Sequence, residues 1–316
     1  MGKPFLIVNP RSANGATGKH FDTISALVRQ NVGEHDHAFT ERPFHACELA
    51  RKAIEGGSEL VIAVGGDGTI NETVNGFFGP LTPGATPKAI NPNAALAILP
   101  RGTGGDFRRT VGLDGNLQKS AARLKNAPRP LDVGLAEFET EDGKIDARCF
   151  VNVAGSGVGA EIVKIVNDSS KVLGGRLTFM VGSLRGLMGW SDVSLRASLD
   201  GGPFEELTIT SYSVGNGRYF GGGMMVAPEA KLDDGMFHVT IWTGFTLVDF
   251  VVKSAGLYDG SHVKFKGTRT ASARTLRLEP GSKSNGRKAR VELDGELVGR
   301  VPVTYTALPG AIRLVG

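Results

Sequence analysis

Two glycine-rich stretches in this chain each carry one carboxylate. Residues 60–78 read LVIAVGGDGTINETVNGFF and residues 99–107 read LPRGTGGDF. In the first, Leu60 to Val64 is a short apolar run closed by a turn signal, as expected of a buried parallel strand. Gly65, Gly66 and Gly68 permit close backbone approach. Thr69 and Glu72 stand at capping-box spacing, which predicts a helix starting at Thr69. A glycine turn feeding a helix N-terminus is an anion cradle, because free N–H groups and the helix dipole point the same way. Asp67 inside that cradle repels a phosphate unless a cation lies between them or the carboxylate handles a proton. The combination points to a magnesium–nucleotide site. The plainer alternative is an Asp that satisfies backbone groups in a turn.

The second loop repeats the pattern, with Gly102, Gly104 and Gly105 after an apolar run and Asp106 near a helix start. In open parallel sheets ligands lie outside the carboxyl ends of the strands, so both loops should face one crevice and bring Asp67 and Asp106 together. Other motifs carry less. NPRSANGATGK resembles a Walker loop, but Ala13 stands at its first glycine and His20 where a hydroxyl should hold magnesium. GSGVGA at 155–160 matches a dinucleotide fingerprint, yet Gly174, Gly175 and Arg176 stand where an acid should follow. Asp294-Gly295 within VELDGELVG reads by itself as a two-residue hairpin turn. Ser156 lacks a hydrolase elbow, and His35 and His37 have no metal-spaced companions.

The elements that must position these residues alternate in the first part of the chain. Strands at Phe5–Val8, around His37–Phe39, at Leu60–Val64 and at Ala95–Leu99 alternate with helical spacing, which is the signature of a doubly wound parallel sheet. After Ala127-Pro128 short strands follow one another: Leu131–Ala136, Phe150–Ala154, Val193–Leu199, Glu206–Val214, Phe237–Ile241, Thr275–Leu278, Val291–Leu293, Val301–Thr306 and a terminal Ala311–Val315. That predicts a mostly antiparallel β domain, interrupted by an amphipathic stretch at Glu161–Trp190 and a helix at Leu247–Tyr258.

Length of 316 residues suggests two domains, and 41% hydrophobic with 22% charged residues suits a soluble globular protein. Net charge of +4 mildly favours anionic partners. Nine Lys/Arg and one acid, Glu279, lie between Lys264 and Arg290, which suggests either a solvated β face or a surface for anionic lipid. Phe265 is the one aromatic there, which argues against single-stranded nucleic acid. Two cysteines exclude a disulfide framework or a zinc site. No apolar run reaches the length of a membrane span, so the expectation is a cytoplasmic protein, at most peripheral to a membrane.

Taken together, LIVNPRS near the start, VGGDGTINETVNG at 64–76, LPRGTGGDF at 99–107, GNGRYFGGGMMVAPEAKLDDGMF at 215–237 and VELDGE at 291–296 resemble the diacylglycerol kinase catalytic-domain family. These are soluble bacterial lipid kinases related to sphingosine and ceramide kinases. The resemblance implies an α/β nucleotide-binding domain, residues 1–128 with the terminal strand at about 307–316. It implies a β-sandwich lipid-substrate domain at 129–306, with the active site in the cleft between them. It further implies ATP and Mg2+ as cofactors. Asn9, Thr40, Gly65, Gly66, Asp67, Gly68, Thr69, Thr103 and Asp106 would contact nucleotide, and Asp67, Asp106 and Glu296 would hold catalytic magnesium, partly through water. Asp294 matches the proposed general base. Asp234, with the carbonyls of Lys231 and Met236, matches a structural magnesium site. The expected partners are a membrane lipid substrate and an anionic membrane surface, without nucleic acid; a homodimer is compatible. The favoured reaction is diacylglycerol to phosphatidic acid. A sphingoid base or ceramide kinase, an NAD kinase and a non-catalytic sensor are the alternatives. Two departures stand out: Gly105 replaces the family's usual Asn, and Ser12-Ala13-Asn14-Gly15 replaces its SGxG.

Overall fold

The computed structural model describes residues 2–102, 104–168, 190–286 and 288–316. Its first part is the expected parallel sheet. Strands β1 (Phe5–Val8), β2 (Asp36–Phe39), β3 (Leu60–Gly65) and β4 (Ala95–Pro100) pair in the order β4-β3-β1-β2, all parallel. Alternate residues go to opposite faces, and both faces are covered. Ile7, Val61, Ala63, Leu96 and Ile98 pack under helices α3 (His45–Glu55) and α4 (Asp67–Asn75) through Ala46, Ala50, Ile70 and Val74. Leu6, Val8, Ile62, Val64 and Leu99 pack on α2 (Phe21–Val32) and α6 (Leu117–Ala122). A one-turn α1 (Ala16–Lys19) precedes α2, and α5 (Asp106–Val111) follows the second glycine loop.

The second part is antiparallel. Its strands are β5 (Arg129–Glu139), β6 (Ile145–Phe150), β7 (Val153–Gly157), β8 (Val193–Leu199), β9 (Glu205–Ile209), β10 (Ser211–Gly215), β11 (Phe237–Trp242), β12 (Thr268–Ala273), β13 (Thr275–Pro280), β14 (Arg290–Leu293) and β15 (Glu296–Val315). They form a sandwich around a core in which Phe150 stacks on Phe237, and the Tyr212 hydroxyl donates to that of Tyr305 at 2.8 Å. Two further helices, α7 (Val158–Asp168) and α8 (Leu247–Asp259), lie on this part.

β15 joins the two halves. Its 20 residues run antiparallel to β5, and its last residues, Arg313 to Val315, add in parallel to β4. The sequence suggested two strands here because Pro309-Gly310 reads as a turn. The chain instead continues through a register shift between Leu308 and Ile312, where Gly310, at φ 55°, donates its N–H to Asp132.

Other expectations are corrected. α4 starts at Asp67 rather than Thr69, and the Thr69–Glu72 box does not form. Glu72 instead accepts the Ala46 N–H of the neighbouring α3, and the Thr69 hydroxyl accepts from Asn9. The single strand expected at Phe150–Ala154 is the junction of β6 and β7, and Glu206–Val214 divides into β9 and β10. The amphipathic stretch at 161–190 is helical up to Asp168; residues 169–189 lie outside the described residues. β7 pairs antiparallel with β10 and β14, so GSGVGA is no βαβ turn. Its glycines serve packing: a Cβ on Gly155 would fall 2.8 Å from Glu292 Oε1.

Candidate active site

The N-terminus of α4 is open. Its N-cap is Gly66, with no side chain capping the first turn, so the leading N–H groups are available to an anion. The loop has this shape because two backbones touch. A Cβ on Gly102 would lie 2.6 Å from the Gly66 Cα, so the two glycine loops can meet only without side chains. Around this seat stand the carboxyl ends of all four parallel strands. Asn9, just after β1, donates its side-chain amide to Thr69 Oγ1 at 3.1 Å, and Thr40, just after β2, ties its N–H to Val8. Gly65 to Gly68 follow β3, and Arg101 and Gly102 follow β4. Thr103 lies outside the described residues.

Asp67 and Asp106 do come together, with different duties. The Asp67 carboxylate accepts the N–H groups of Asp106 (3.1 Å) and Phe107 (3.0 Å), and so occupies the N-terminus of α5. The second loop therefore does not repeat the first, since its helix end is already filled by the first loop's carboxylate. Asp106 is buried, accepts N–H donors from Gly222 and Gly223, and lies 3.2 Å from the Arg109 guanidinium. Burial, and then repulsion by Asp67, push its carboxyl up to about 6. Gly105 sits at φ 65°, and a Cβ there would meet Arg108 Nε at 2.3 Å. The Arg108 side chain, folded back to the Leu113 carbonyl, fills the space the family's usual Asn would need.

Two adjacent carboxylates, one buried and one half-buried, with one nearby guanidinium form a hard-oxygen donor pair whose repulsion a divalent cation would relieve. Magnesium typically takes one or two carboxylates plus substrate phosphates, and this pair fits that pattern. Among the described residues no set of three or more His, Cys, Asp or Glu side chains could hold a metal by itself. Glu296 stands apart from the pair, with Oε1 3.7 Å from where a Cβ on Gly68 would lie, over the first turn of α4.

Asp294 forms the hairpin turn that its sequence suggested. Asp294 and Gly295 both have positive φ, 49° and 87°, and make the tight turn between β14 and β15. Its carboxylate accepts four hydrogen bonds, from the N–H groups of Val151, Asn152 and Val153 and from the Asn71 side-chain amide at 2.8 Å. Burial pushes the carboxyl above its ordinary value while the donors pull the other way, and burial is the larger effect. All four in-plane lone-pair positions are filled. Asn71 is itself held in place: buried, it also donates to the Cys149 carbonyl at 3.1 Å, and its Oδ1 accepts from Asn75.

The DDG turn is held by direct hydrogen bonds. Asp234 accepts the Met236 N–H at 3.0 Å and lies 3.1 Å from His238 Nε2, while Asp132 accepts the Gly235 N–H. Lys231 lies in the same segment, just before the turn.

Beside Asp294 an apolar pocket opens between α7 and α8. Val158, Ile162, Phe220, Trp242, Phe250 and Leu257 line it, with Glu292 in its wall. Glu292 is fully enclosed, and burial raises its carboxyl well above the usual range. Its Oε2 accepts the N–H of Gly295, which ties the pocket wall to the Asp294 turn.

Sequence reasoning missed Asn71, Arg109, Glu292 and Arg148. Asn71 had a signal: it stands four residues after Asp67, hence on the same helix face. Arg148 on β6 stacks over Phe44 at 4.2 Å and faces Glu296, Glu72 and Asp294; its partners are distant in sequence and left no local mark.

Comparison with known proteins agrees with this architecture. Residues 3–136 match the diacylglycerol kinase catalytic domain, and residues 152–316 match the YegS C-terminal NAD kinase beta sandwich-like domain. A Bacillus subtilis diacylglycerol kinase is 26% identical over all of this chain and 96% of its own length. A probable lipid kinase YegS-like of Pseudomonas aeruginosa is 29% identical over 85% of this chain and 80% of its own. The crystal structure of a putative diacylglycerol kinase from Bacillus anthracis shares the fold, with a TM-score of 0.76 at 24% identity, covering 99% of this chain and 97% of that one. The two family matches together cover nearly the whole chain, and the open helix end, the paired carboxylates and the Asp294 turn fall within them: the chain belongs to the diacylglycerol kinase catalytic-domain family of lipid kinases, in its YegS-like form.

Proposed function

We propose that this protein transfers the γ-phosphoryl group of ATP to the free hydroxyl of a membrane lipid, with diacylglycerol as acceptor and phosphatidic acid as product. The observation that carries the reading is the path of β14. The strand passes the apolar pocket at Glu292 and ends at Leu293, one residue before Asp294, whose carboxylate accepts a hydrogen bond from Asn71 of α4. A greasy pocket and an anion seat therefore share one turn. An NAD kinase has no use for such a pocket.

Phosphoryl transfer is mostly positioning and charge neutralisation. The open end of α4 and the glycine loop seat the phosphates. Magnesium would be held by Asp67 and Asp106, with Glu296 over the first turn of α4, and would neutralise charge on the phosphates. Asp294 takes the acceptor hydroxyl's proton in exchange for one of its four present donors, and the buried Glu292 adds a polar group to the wall of the acyl pocket. The full-length likeness to a protein named diacylglycerol kinase supports the choice of acceptor.

Incubation with ATP, magnesium and a total bacterial lipid extract, followed by mass spectrometry, tests the acceptor. Phosphatidic acid should accumulate at the expense of diacylglycerol. A phosphorylated sphingoid base or ceramide as the sole product, when those lipids are added, would overturn it.

A further inference from the structure

The three most exposed large apolar side chains among the described residues lie on one helix. Val248, Val251 and Val252 on α8 are 70%, 58% and 74% exposed. With the exposed Ala255 they take positions i, i+3, i+4 and i+7, a single stripe along the helix. The helix is firmly set. Thr246 and Asp249 form a complete capping box, and Lys253 pairs with Asp249 at 2.6 Å. Its other face is also apolar, because Phe250 and Leu257 wall the pocket beside Asp294. A surface helix ordinarily turns polar residues outward, and this one does not.

The charges nearby are cationic. Lys264 and Lys266, just beyond the helix, are exposed and have no ion-pair partner among the described residues. Further along the basic stretch, Arg269, Arg277, Lys288 and Arg290 are engaged by Glu205, Glu279, Glu139 and Glu161. Arg274 and Lys283 are likewise exposed and without an ion pair among the described residues, so the run keeps free positive charge, of which Lys264 and Lys266 lie nearest in sequence to the valine stripe. An apolar helix face flanked by lysines matches the interface of an anionic bilayer. A second copy of the chain fits poorly. Three valines and an alanine fall well short of the roughly 800 Å2 per partner that a stable interface buries, and a twofold contact would set the lysines against each other.

We propose that α8 is the membrane-docking element. It beds Val248, Val251 and Val252 at the apolar boundary of an anionic bilayer, with Lys264 and Lys266 on lipid phosphates. The pocket behind the same helix then opens onto the acyl layer, and the acceptor can slide in without crossing water. The inference rests on the reading that the acceptor is a membrane lipid.

The test compares the wild type with a Val248→Ser/Val251→Ser/Val252→Ser variant by sedimentation with phosphatidylcholine vesicles containing 0% or about 30% phosphatidylglycerol, a composition in the range where anionic-surface effects are large. Turnover is followed on vesicle-borne dioleoylglycerol and on water-dispersed dioctanoylglycerol. The variant should bind anionic vesicles at least about tenfold more weakly, as the loss of three apolar anchors requires. It should lose turnover on vesicles while keeping it on dioctanoylglycerol. Lys264→Gln and Lys266→Gln should each weaken binding about fivefold, and only to the anionic vesicles. Unchanged vesicle binding in the triple variant overturns the proposal. So does a change in oligomeric state on replacing the three valines, because that means a second copy already covers the stripe. If the wild type phosphorylates no lipid, the functional reading fails while the vesicle arm still decides the docking.

Discussion

Asp294 is where the account is most exposed at the level of single residues. A carboxylate with four donors is rigidly placed, and its basicity comes from burial. Asp294→Asn keeps a residue that tolerates the left-handed turn but removes the proton acceptor, so turnover should fall by at least ~10²-fold. ATP binding, followed by calorimetry, should persist, since the phosphate seat is on α4; near-normal turnover would remove Asp294 from the role of base. Asp106 supplies a pH signature. Its carboxyl is raised from 3.8 to about 6, so the folded state holds the proton more tightly than the unfolded chain. The stability from that proton is complete below pH 3.8 and lost as pH rises through about 6. In metal-free buffer, the wild type should lose about 2 kcal/mol relative to Asp106→Asn between pH 4.5 and 7.5. Urea denaturation at both pH values measures the difference, and parallel curves would contradict it. Legibility at this scale was uneven. Asp67 and Asp106 announced themselves because a carboxylate among glycines is anomalous, and their meeting followed from strand ends facing one crevice. That Asp67 caps α5 could not be read, because its partners are backbone N–H groups about forty residues on.

The two glycine loops matter at the level of elements because they are in backbone contact. Gly102→Ala places a methyl 2.6 Å from the Gly66 Cα, with backbone rather than a flexible side chain in the way. One loop has to move, at a cost of about 1–3 kcal/mol, and the phosphate seat moves with it. ATP affinity should drop at least about tenfold, beyond any stability loss, because the seat depends on backbone positions. Unchanged affinity would place the phosphates elsewhere. The parallel strands were legible as short apolar runs ending in glycine or a turn. β12 was not: its sequence, TRTASA, has no large apolar residue, and among the described residues it is an edge strand that pairs only with β11. The start of α4 was misplaced because Thr69 and Glu72 look like a cap in sequence. In space each serves a neighbouring element, the loop after β1 and the start of α3.

For the whole molecule, β15 is the feature with the widest reach. It borders the sandwich along most of its length and ends inside the parallel sheet. The two halves therefore share hydrogen bonds and core, with Leu131, Leu308 and Leu314 packed among residues of the first sheet. Heating should give one cooperative unfolding transition, not two; two well-separated calorimetric peaks would contradict a shared strand. Pro309-Gly310 hid this continuity in the sequence, where a turn dipeptide and a bulge look alike. The same coupling brings the Asp294 turn to α4, and with it the pocket wall at Glu292. Transfer of label from γ-labelled ATP, with dioleoylglycerol in vesicles and NAD offered together, tests that junction most directly. Labelled phosphatidic acid should form in a magnesium-dependent manner, with no labelled NADP. Label appearing in NADP alone would contradict the account.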